Sequence, residues 1–363
     1  MPAVQPPCKV LVSGATGYIA TWVVHNLLER GYSVRGTARS VAKGEHLKKR
    51  FAPYGDKFEV VVVEDISQDG AFDEAVKGVD AIEHTASPCH MNAVHPDELI
   101  KPAVNGTVGM LKSVLKDDRP PRSTKVKRVV VTSSGVAVHR EEPTQLTFTE
   151  ADWNTQCLEV LKKFEDEGRK NEVPNLMKYR ASKTLAERSA WEFVNDPENK
   201  LRIKWDLAVL NPPLVFGPAI HEITTPSSLN TSAAMFYNYV ADGTKANAAG
   251  NDFLANTGTC WIDVRDLAEA HALALEKEAA GGERIIVSGG LWKWQDFIDA
   301  ANDLNPPPKL STTLPVGIRG AGKIAKHLSI YNTAKADRIL GLKYRSIAET
   351  TKDTLGDYES RGW

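Results

Sequence analysis

A glycine-rich turn near the amino terminus constrains the fold of this chain more than any other feature. The segment Gly14-Ala15-Thr16-Gly17-Tyr18-Ile19-Ala20 follows the apolar run 9–13 and opens a stretch with helical spacing of apolar residues. At such a junction the first glycine permits a sharp turn, the second lets the backbone approach a pyrophosphate, and the small third residue permits close helix–sheet packing. The helix then offers unpaired N–H groups to the phosphates. The pattern predicts a nucleotide-binding βαβ unit.

Strands and helices alternate through the first 215 residues, which favours an α/β fold with a Rossmann-type doubly wound parallel sheet. Four successive valines at 60–63 indicate a strand buried on both faces. The predicted strands are 9–13, 32–37, 58–63, 81–85, 126–132, 205–210, 260–264 and 284–287. The predicted helices are 17–30, 41–51, 71–76, 99–115, 177–193 and 267–277.

The end of the second strand indicates which nucleotide binds. An NAD site usually has an Asp or Glu there, for the ribose 2′-hydroxyl. Here Arg39 stands at that place, with Lys43 four residues later and no acid between 36 and 43. Because a guanidinium can bind a 2′-phosphate bidentately, the sequence predicts NADPH over NADH. The alternative is an ordinary surface arginine. Asp65, after the third strand, is expected either to accept from the adenine amino group or to cap a loop.

A tyrosine and a lysine four residues apart form the predicted catalytic pair. The phenol of a tyrosine has a pKa near 10 in water, and a nearby cation lowers it toward a useful range for acid catalysis. Tyr179 and Lys183 lie one helical turn apart on the same face of the predicted helix 177–193. Ser134 ends the fifth strand, at the carboxyl edge where ligands bind in such sheets, and can polarise the same carbonyl. A Tyr-x-x-x-Lys pair alone is common on surface helices, so the prediction depends on its combination with the glycine turn.

Together these segments resemble the extended short-chain dehydrogenase/reductase superfamily, in its dihydroflavonol-reductase-like branch. Within it, the chain is most similar to the fungal NADPH-dependent methylglyoxal and aldehyde reductases, or ketoreductases. The segments that carry the resemblance are 12–20, 38–40, 64–67, 84–88, 102–106, 131–134, Tyr179 with 182–183, 211–212 with 215–218, 229–232 and 262–266.

The resemblance implies a role for each site residue. It makes Ser134 rather than Ser133 the carbonyl-orienting serine, Tyr179 the acid and Lys183 its partner. The cofactor-binding residues predicted from the motifs and the resemblance are Gly14, Thr16, Gly17, Tyr18, Ile19, Arg39, Lys43, Asp65, Ile66, Thr85, Ala86, Ser87, Thr132, Tyr179, Lys183, Pro212, Leu214 and Val215. The predicted substrate contacts are Ser87, Cys89, Ser134, Gly135 and Tyr179.

Three positions depart from the fungal reductases. Those proteins have aromatic residues after the catalytic serine and after the Ser-Pro of the fourth strand, whereas this chain has Gly135, His139 and Cys89. We therefore expect a wider or more polar substrate pocket. The Lys- and Glu-rich stretch 155–174 is expected to be a solvated helix rather than a rim of that pocket.

The sequence also predicts a division into two parts. The pattern of alternating elements ends after Pro213, and residues 216–258 are rich in Gly, Asn, Thr, Ser and Ala. We expect an NADP-binding Rossmann domain over 1–215, to which 259–280 return. A smaller, partly interleaved substrate-binding lobe is expected from 216–258 and 281–363. Trp292 and Trp294 are expected to be packing or pocket-wall residues rather than a specific stacking site.

Composition excludes several other classes of protein. The 363 residues carry 45 Lys and Arg against 46 Asp and Glu, without the basic excess typical of nucleic-acid binders. No apolar run approaches the 18 residues of a membrane helix. The four cysteines form no CxxC and the nine histidines no HExxH motif, so neither a disulfide framework nor a metal site is expected. A cytoplasmic protein is the expectation, and nothing indicates an oligomeric state.

The predicted activity is reduction of an aldehyde or ketone by NADPH, with the substrate an α-keto aldehyde, a keto ester or an aryl ketone. Two other functions use the same fold. An NADP-sensing regulatory protein would typically lack the Tyr/Lys pair. A nucleotide-sugar epimerase or dehydratase would typically keep tightly bound NAD and an acid in place of Arg39.

Overall fold

The centre of the molecule is a seven-stranded parallel sheet. The structure is a computed structural model that describes residues 4–87, 92–117 and 126–363. The strands in these residues are β1 (Lys9–Ser13), β2 (Ser33–Ala38), β3 (Phe58–Val62), β4 (Ala81–His84), β5 (Arg128–Thr132), β6 (Leu146–Phe148), β7 (Asp206–Asn211), β8 (Leu214–Phe216), β9 (Cys260–Asp263), β10 (Arg284–Ile286), β11 (Gly290–Leu291) and β12 (Ser329–Tyr331). The central sheet has the order β10-β7-β5-β4-β1-β2-β3. All its neighbours pair in parallel, which confirms the predicted doubly wound sheet.

Helices cover both faces of this sheet. The α-helices of the described residues are α1 (Tyr18–Glu29), α2 (Val41–Arg50), α3 (Asp97–Asp117), α4 (Gln156–Asp166), α5 (Asn175–Asn195), α6 (Pro197–Arg202), α7 (Thr231–Phe236), α8 (Gly243–Ala249), α9 (Asn251–Asn256), α10 (Val264–Glu276), α11 (Trp294–Asn302), α12 (Ala321–Ile324), α13 (Ala334–Ile339) and α14 (Ile347–Ser360). Helices α1 and α10 pack side by side on one face, and α3 packs with α5 on the other.

The alternation of side chains along each strand assigns them to these two faces. In β1, Val10 and Val12 join the core beneath α1 and α10, whereas Leu11 joins the core beneath α3 and α5. In β4, Ala81 belongs to the first core and Ile82 to the second. Both cores are fully buried, so the sheet is a rigid base for the loops at its carboxyl edge.

A third core lies in the smaller lobe. It is built around a cluster of aromatic rings in which Phe216 contacts Trp292, Trp294 and Phe297 with centroids 5.1–5.6 Å apart. The two tryptophans are 1% and 0% exposed and pack in this core, which is one of the two alternatives that the sequence leaves open. Strands β8, β9 and β11 form a three-stranded sheet beside this core, and β6 pairs with β12.

The structure differs from the sequence prediction in three elements. Residues 71–76 form turns rather than a helix, because Asp73 N–H bonds three residues back and Val76 N–H alone reaches the fourth. The region 216–258, for which the sequence analysis gives no elements, contains the three helices α7 to α9. Strand β10 extends the central sheet beside β7, although the sequence-based division assigns 281–363 to the smaller lobe.

Among the described residues, no helix is long and apolar enough to cross a membrane.

Candidate active site

The glycine turn between β1 and α1 forms one wall of the site. Gly14 has a φ of 64°, and a Cβ there would come within 3.1 Å of the Ala86 backbone, so a larger residue would not fit. The N–H groups of Gly14 and Ala15 bond to the side chain and carbonyl of Thr37 at 2.9 Å. Helix α1 begins after Gly17 with no side-chain cap and no acidic residue in its first turn. Its positive end is therefore open to an anion.

A cavity of about 310 Å³ lies at the carboxyl edge of the sheet, between the glycine turn, α5 and the smaller lobe. It brings together Ser134, Tyr179 and Lys183 with most of the predicted cofactor contacts. The residues that line it are Gly14, Gly17, Tyr18, Ile19, Ala20, Thr85, Ser87, Thr132, Ser133, Ser134, Tyr179, Lys183, Pro212, Pro213, Leu214, Val215, Asn230, Thr231 and Ser232.

The predicted catalytic residues come from two elements. Tyr179 and Lys183 follow each other by one turn of α5, and Lys183 is 8% exposed. Ser134 lies two residues beyond the end of β5; its hydroxyl accepts from the Val136 N–H at 3.3 Å and keeps its own proton available. The Ser133 hydroxyl instead donates to the carboxylate of Glu187, which is buried. The geometry thus leaves Ser134, and not Ser133, with a hydroxyl proton for a ligand.

A buried polar network supports these side chains from behind. Glu187, one further turn along α5 from Lys183, accepts from Ser133, from Asn211 Nδ2 at 2.8 Å and from the guanidinium of Arg284. Arg284 also donates to the Glu150 carbonyl at 2.9 Å and lies 3.7 Å from the centre of the Trp153 ring. A buried charge pair with this many partners fixes side-chain positions. It therefore holds the end of β5 against α5.

A second buried network reaches the cavity through Thr132. The Thr132 hydroxyl lies 3.1 Å from His271 Nε2, and His271 Nδ1 lies 2.6 Å from Glu83. Both ionisable side chains are fully buried. Burial raises the pKa of Glu83 to about 7, although the nearby His271 opposes the shift. The imidazole therefore orients the Thr132 hydroxyl from inside the protein.

The residues predicted for the adenine end do not line the cavity. Arg39 is exposed just beyond β2 and makes no hydrogen bond or ion pair with the described residues. Lys43 pairs with Glu222 at 3.0 Å on the surface. Asp65 accepts from the N–H and hydroxyl of Ser67, which is a local turn. The adenine end is open surface rather than an enclosed pocket.

Three other predicted cofactor contacts also lie outside the lining. Thr16 is half-buried within the glycine turn. Ala86 packs against Gly14, and its N–H donates to Ser13. Ile66 packs against Gly106 of α3. None of these three residues lines the cavity.

Some of the predicted substrate contacts line the cavity and others do not. Ser87 lines the cavity with Ser134 and Tyr179, whereas Cys89 lies outside the described residues. Gly135 is buried outside the lining, and a Cβ there would lie 2.4 Å from the Tyr331 hydroxyl. Tyr331 of β12 thus fills the space beside Gly135, where the sequence predicts a wider substrate pocket.

The smaller lobe contributes Asn230, Thr231 and Ser232 to the cavity, within the stretch 216–258 predicted to bind substrate. His139 packs edge-on against Phe148, with ring centroids 5.4 Å apart. Helix α4 forms in the stretch 155–174, as expected, with Cys157 on its buried side. Among the described residues, no cluster of His, Cys, Asp or Glu side chains could hold a metal ion.

Sequence reasoning missed the residues behind the cavity wall. Glu187, Arg284 and His271 are not in any motif considered, Asn211 was considered only as part of the segment 211–212, and the partners of all four lie far away along the chain. A buried charge four residues beyond Lys183, on the same helical face, was the one local signal for Glu187.

A parallel sheet wound in this order, with a tyrosine and a lysine one helical turn apart in its cleft, is the architecture of the extended short-chain dehydrogenases/reductases. Comparison with known proteins narrows this class. A model of the NAD dependent epimerase/dehydratase family matches residues 10–289, and the chain belongs to that family.

Relatives and solved structures agree with this assignment. The NADPH-dependent methylglyoxal reductase GRE2 of Saccharomyces cerevisiae is 35% identical over 355 residues, which cover 95% of this chain and 96% of that protein. The ketoreductase azaE of Aspergillus niger is 34% identical, with 96% of each chain covered. The crystal structure of Gre2 from Candida albicans in complex with NADPH superimposes with a TM-score of 0.82 at 32% identity, covering 98% of this chain and 100% of that one.

Proposed function

We propose that this protein is an NADPH-dependent carbonyl reductase that converts an aldehyde or ketone to an alcohol. The observation that carries the proposal is the single cavity in which Ser134, Tyr179 and Lys183 meet the glycine turn of β1 and α1. Relatives that are named as NADPH-dependent reductases, and that align over nearly the whole chain, support the same activity.

The residues present suit NADPH. Gly14 and Gly17 leave room for a pyrophosphate at the open end of α1, which lacks an acid in its first turn. Arg39 is exposed and unpaired among the described residues, so its guanidinium is available for the 2′-phosphate. Pro212, Leu214 and Val215 present an apolar wall for the nicotinamide ring.

The reaction follows from the positions of three side chains. When bound along the glycine turn and the apolar wall, NADPH would supply the hydride for the carbonyl carbon. The Ser134 hydroxyl donates a hydrogen bond to the carbonyl oxygen and polarises it. Tyr179 donates its proton to the same oxygen as negative charge develops there. The ammonium of Lys183, one turn away, favours the tyrosinate that remains.

The substrate class we propose is an α-keto aldehyde, a keto ester or an aryl ketone. Ser87, Thr231 and Ser232, which carry small hydroxyl groups, line the cavity together with the apolar wall, so a substrate with a polar group next to its carbonyl would find partners there.

A cofactor and substrate panel tests the proposal. Purified protein is assayed with methylglyoxal, an α-keto ester and acetophenone, each with NADPH and with NADH. The expected result is NADPH oxidation with at least one carbonyl and a kcat/KM ratio that favours NADPH by about 10- to 100-fold, from the hydrogen bonds that Arg39 would make to the phosphate. No oxidation with any carbonyl, or NAD that copurifies with the protein, would contradict it.

A further inference from the structure

Lys178 precedes Tyr179 on α5, and the reaction described so far gives it no role. Its side chain is 3% exposed. Lysine is almost never fully buried unless its charge is paired. Among the described residues, the ammonium of Lys178 donates to four uncharged oxygens, which are the carbonyls of Ala93 (2.9 Å), Val94 (2.7 Å) and Asn171 (3.1 Å) and the side-chain oxygen of Asn175 (3.2 Å).

These oxygens come from three separate segments of the chain. Two of them belong to residues 92–96, which we call the connector because they lead into α3. The third belongs to the turn between α4 and α5, and the fourth to the first residue of α5. The connector continues the chain beyond Ser87, which lines the cavity. One ammonium therefore ties the connector and the turn to the start of the helix that carries Tyr179.

The charge of the ammonium allows the four oxygens to converge. Each oxygen is the negative end of a dipole, and dipoles that point at one spot repel each other unless a cation occupies it. Carbonyl oxygens surround monovalent cations in the same way in ion filters. Hydrogen bonds from a charged donor are also roughly twice as strong as those between neutral groups. Without the charge, the connector and the turn would lose the partner that holds them against α5.

We propose that Lys178 is a positioning residue whose ammonium fixes the connector against α5 and so keeps Ser87 in place for the carbonyl substrate before that substrate binds. This role rests on the proposed function. A site that is formed for only part of the time binds its ligand more weakly in proportion to that fraction. The complex that does form is the same. Loss of the ammonium should therefore raise the KM for the carbonyl and leave kcat nearly unchanged.

Lys178→Met removes the ammonium and keeps a long apolar side chain. We expect the KM for the best carbonyl of the panel to rise about tenfold or more, with kcat within about threefold of the wild type. The dissociation constant of NADPH, measured by its fluorescence, should stay close to the wild-type value, because the glycine turn and Arg39 are unchanged.

Lys162→Met is the matched control, since Lys162 is exposed on α4 and lies 3.6 Å from Asp166. Its KM and kcat should equal those of the wild type. An unchanged KM in Lys178→Met would overturn the proposal. An equal fall in kcat and kcat/KM would also overturn it, because the lost interaction would then belong to the transition state rather than to substrate binding.

Lys178→Ala tests whether the charge itself is required. Propylammonium has the same carbon chain and ammonium that this substitution removes. We expect added propylammonium to lower the raised KM toward the wild-type value. At the same concentration, 1-propanol, which lacks the charge, and tetramethylammonium, which lacks N–H donors, should have no effect. Equal recovery with 1-propanol would overturn the proposal in favour of simple packing, and no recovery with propylammonium would overturn it as well.

Hydrogen exchange tests the position of the connector without any turnover. In Lys178→Ala, peptides that cover 92–100 and 169–176 should exchange faster than in the wild type, and propylammonium should slow them again. Unchanged exchange in both peptides would overturn the proposal. If the wild type reduces no carbonyl, the proposed function fails, whereas these exchange rates still report on the connector.

The wild type alone provides a test if neither variant folds. Lys178 can be acetylated by an amine reagent only when the connector moves away from it. A ligand that binds the formed site shifts the population toward that form. NADP⁺ with an unreactive carbonyl analogue should therefore slow the acetylation of Lys178, followed by mass spectrometry, and leave that of the exposed Lys162 unchanged. Equal rates for Lys178 with and without the ligands would overturn the proposal.

Discussion

The two ends of the cleft are built in different ways. At the end that holds Ser134, Tyr179 and Lys183, the side chains are backed by buried networks through Glu187, Arg284 and His271. At the end that holds Arg39 and Lys43, the side chains are exposed and one of them is paired with a surface glutamate. The difference follows from what each end must do. Proton donation requires donors fixed before the substrate arrives, whereas a phosphate can be bound by flexible charges that become ordered around it.

We call the end that holds Ser134, Tyr179 and Lys183 the fixed end and the end that holds Arg39 and Lys43 the open end. The largest effect on activity is expected from a change at the fixed end. Tyr179→Phe removes the proton donor and keeps the ring, so kcat should fall by about 10²- to 10⁴-fold. The measurement is steady-state NADPH oxidation with the best carbonyl of the panel. Tyr344→Phe is the matched control, because Tyr344 lies outside the lining of the cavity and its buried hydroxyl has no side-chain partner among the described residues. Turnover near the wild-type rate in Tyr179→Phe would remove the distinction between the two ends.

The next effect concerns the network behind the fixed end. Arg284→Met leaves the buried carboxylate of Glu187 without its cation, which should destabilise the fold by about 3–5 kcal/mol. Urea unfolding followed by tryptophan fluorescence measures the change. Lys335→Met, which removes a partly exposed pair with the neighbouring Glu283, should cost no more than about 1 kcal/mol. Equal costs for both variants would mean that the buried network adds nothing to the rigidity of this end.

Substitutions at the open end should change the preference between NADPH and NADH rather than the stability of the fold. Arg39→Ala should reduce the preference for NADPH over NADH by about 10- to 100-fold, since hydrogen bonds between charged groups are lost. Lys43→Ala should change that preference by less than about threefold, because Lys43 is exposed and already paired with Glu222. The ratio of kcat/KM for the two cofactors is the measurement. An unchanged ratio in Arg39→Ala would contradict the assignment of this end to the phosphate.

The smallest effect is a change in stability at acidic pH, and it is expected from His139, next to the fixed end. Burial, with the charge of Arg180 nearby, lowers the pKa of His139 from 6.5 to about 4. Below pH 6.5 the unfolded chain binds a proton that the folded protein does not, so stability falls as the pH drops toward 4. Over this pH range the free energy of unfolding of His139→Phe should fall by about 1–3 kcal/mol less than that of the wild type. Urea midpoints at pH 8 and pH 4.5 test this; an equal loss in both proteins would contradict it.

The sequence predicts the residues that line the cavity better than the buried residues that hold them in place. The i, i+4 spacing of Tyr179 and Lys183 and the glycine turn are local patterns, and local patterns determine which side chains share a helical face or a strand end. Glu187 and Arg284 are 97 residues apart. They meet because β10 pairs with β7 and because Glu187 of α5 lies against Asn211 at the end of β7. No local spacing contains that information.

The same reasoning explains the other differences. The stretch 71–76 has the composition of a helix, but it is flanked by Gly70 and Gly78, both of positive φ, and buries its apolar side chains as turns. The space beside Gly135 is filled by Tyr331, which is nearly 200 residues further along the chain. A prediction of a wider pocket from Gly135 alone could not include that contact.

The central claim is that the Tyr179 hydroxyl and the Ser134 hydroxyl share one substrate oxygen. A crystal structure with NADP⁺ and an unreactive carbonyl analogue tests it most directly. The account predicts the analogue's oxygen within about 3.2 Å of both hydroxyls, beside the nicotinamide ring. An oxygen bound away from Tyr179, with the ring outside the wall formed by Pro212 and Val215, would contradict it.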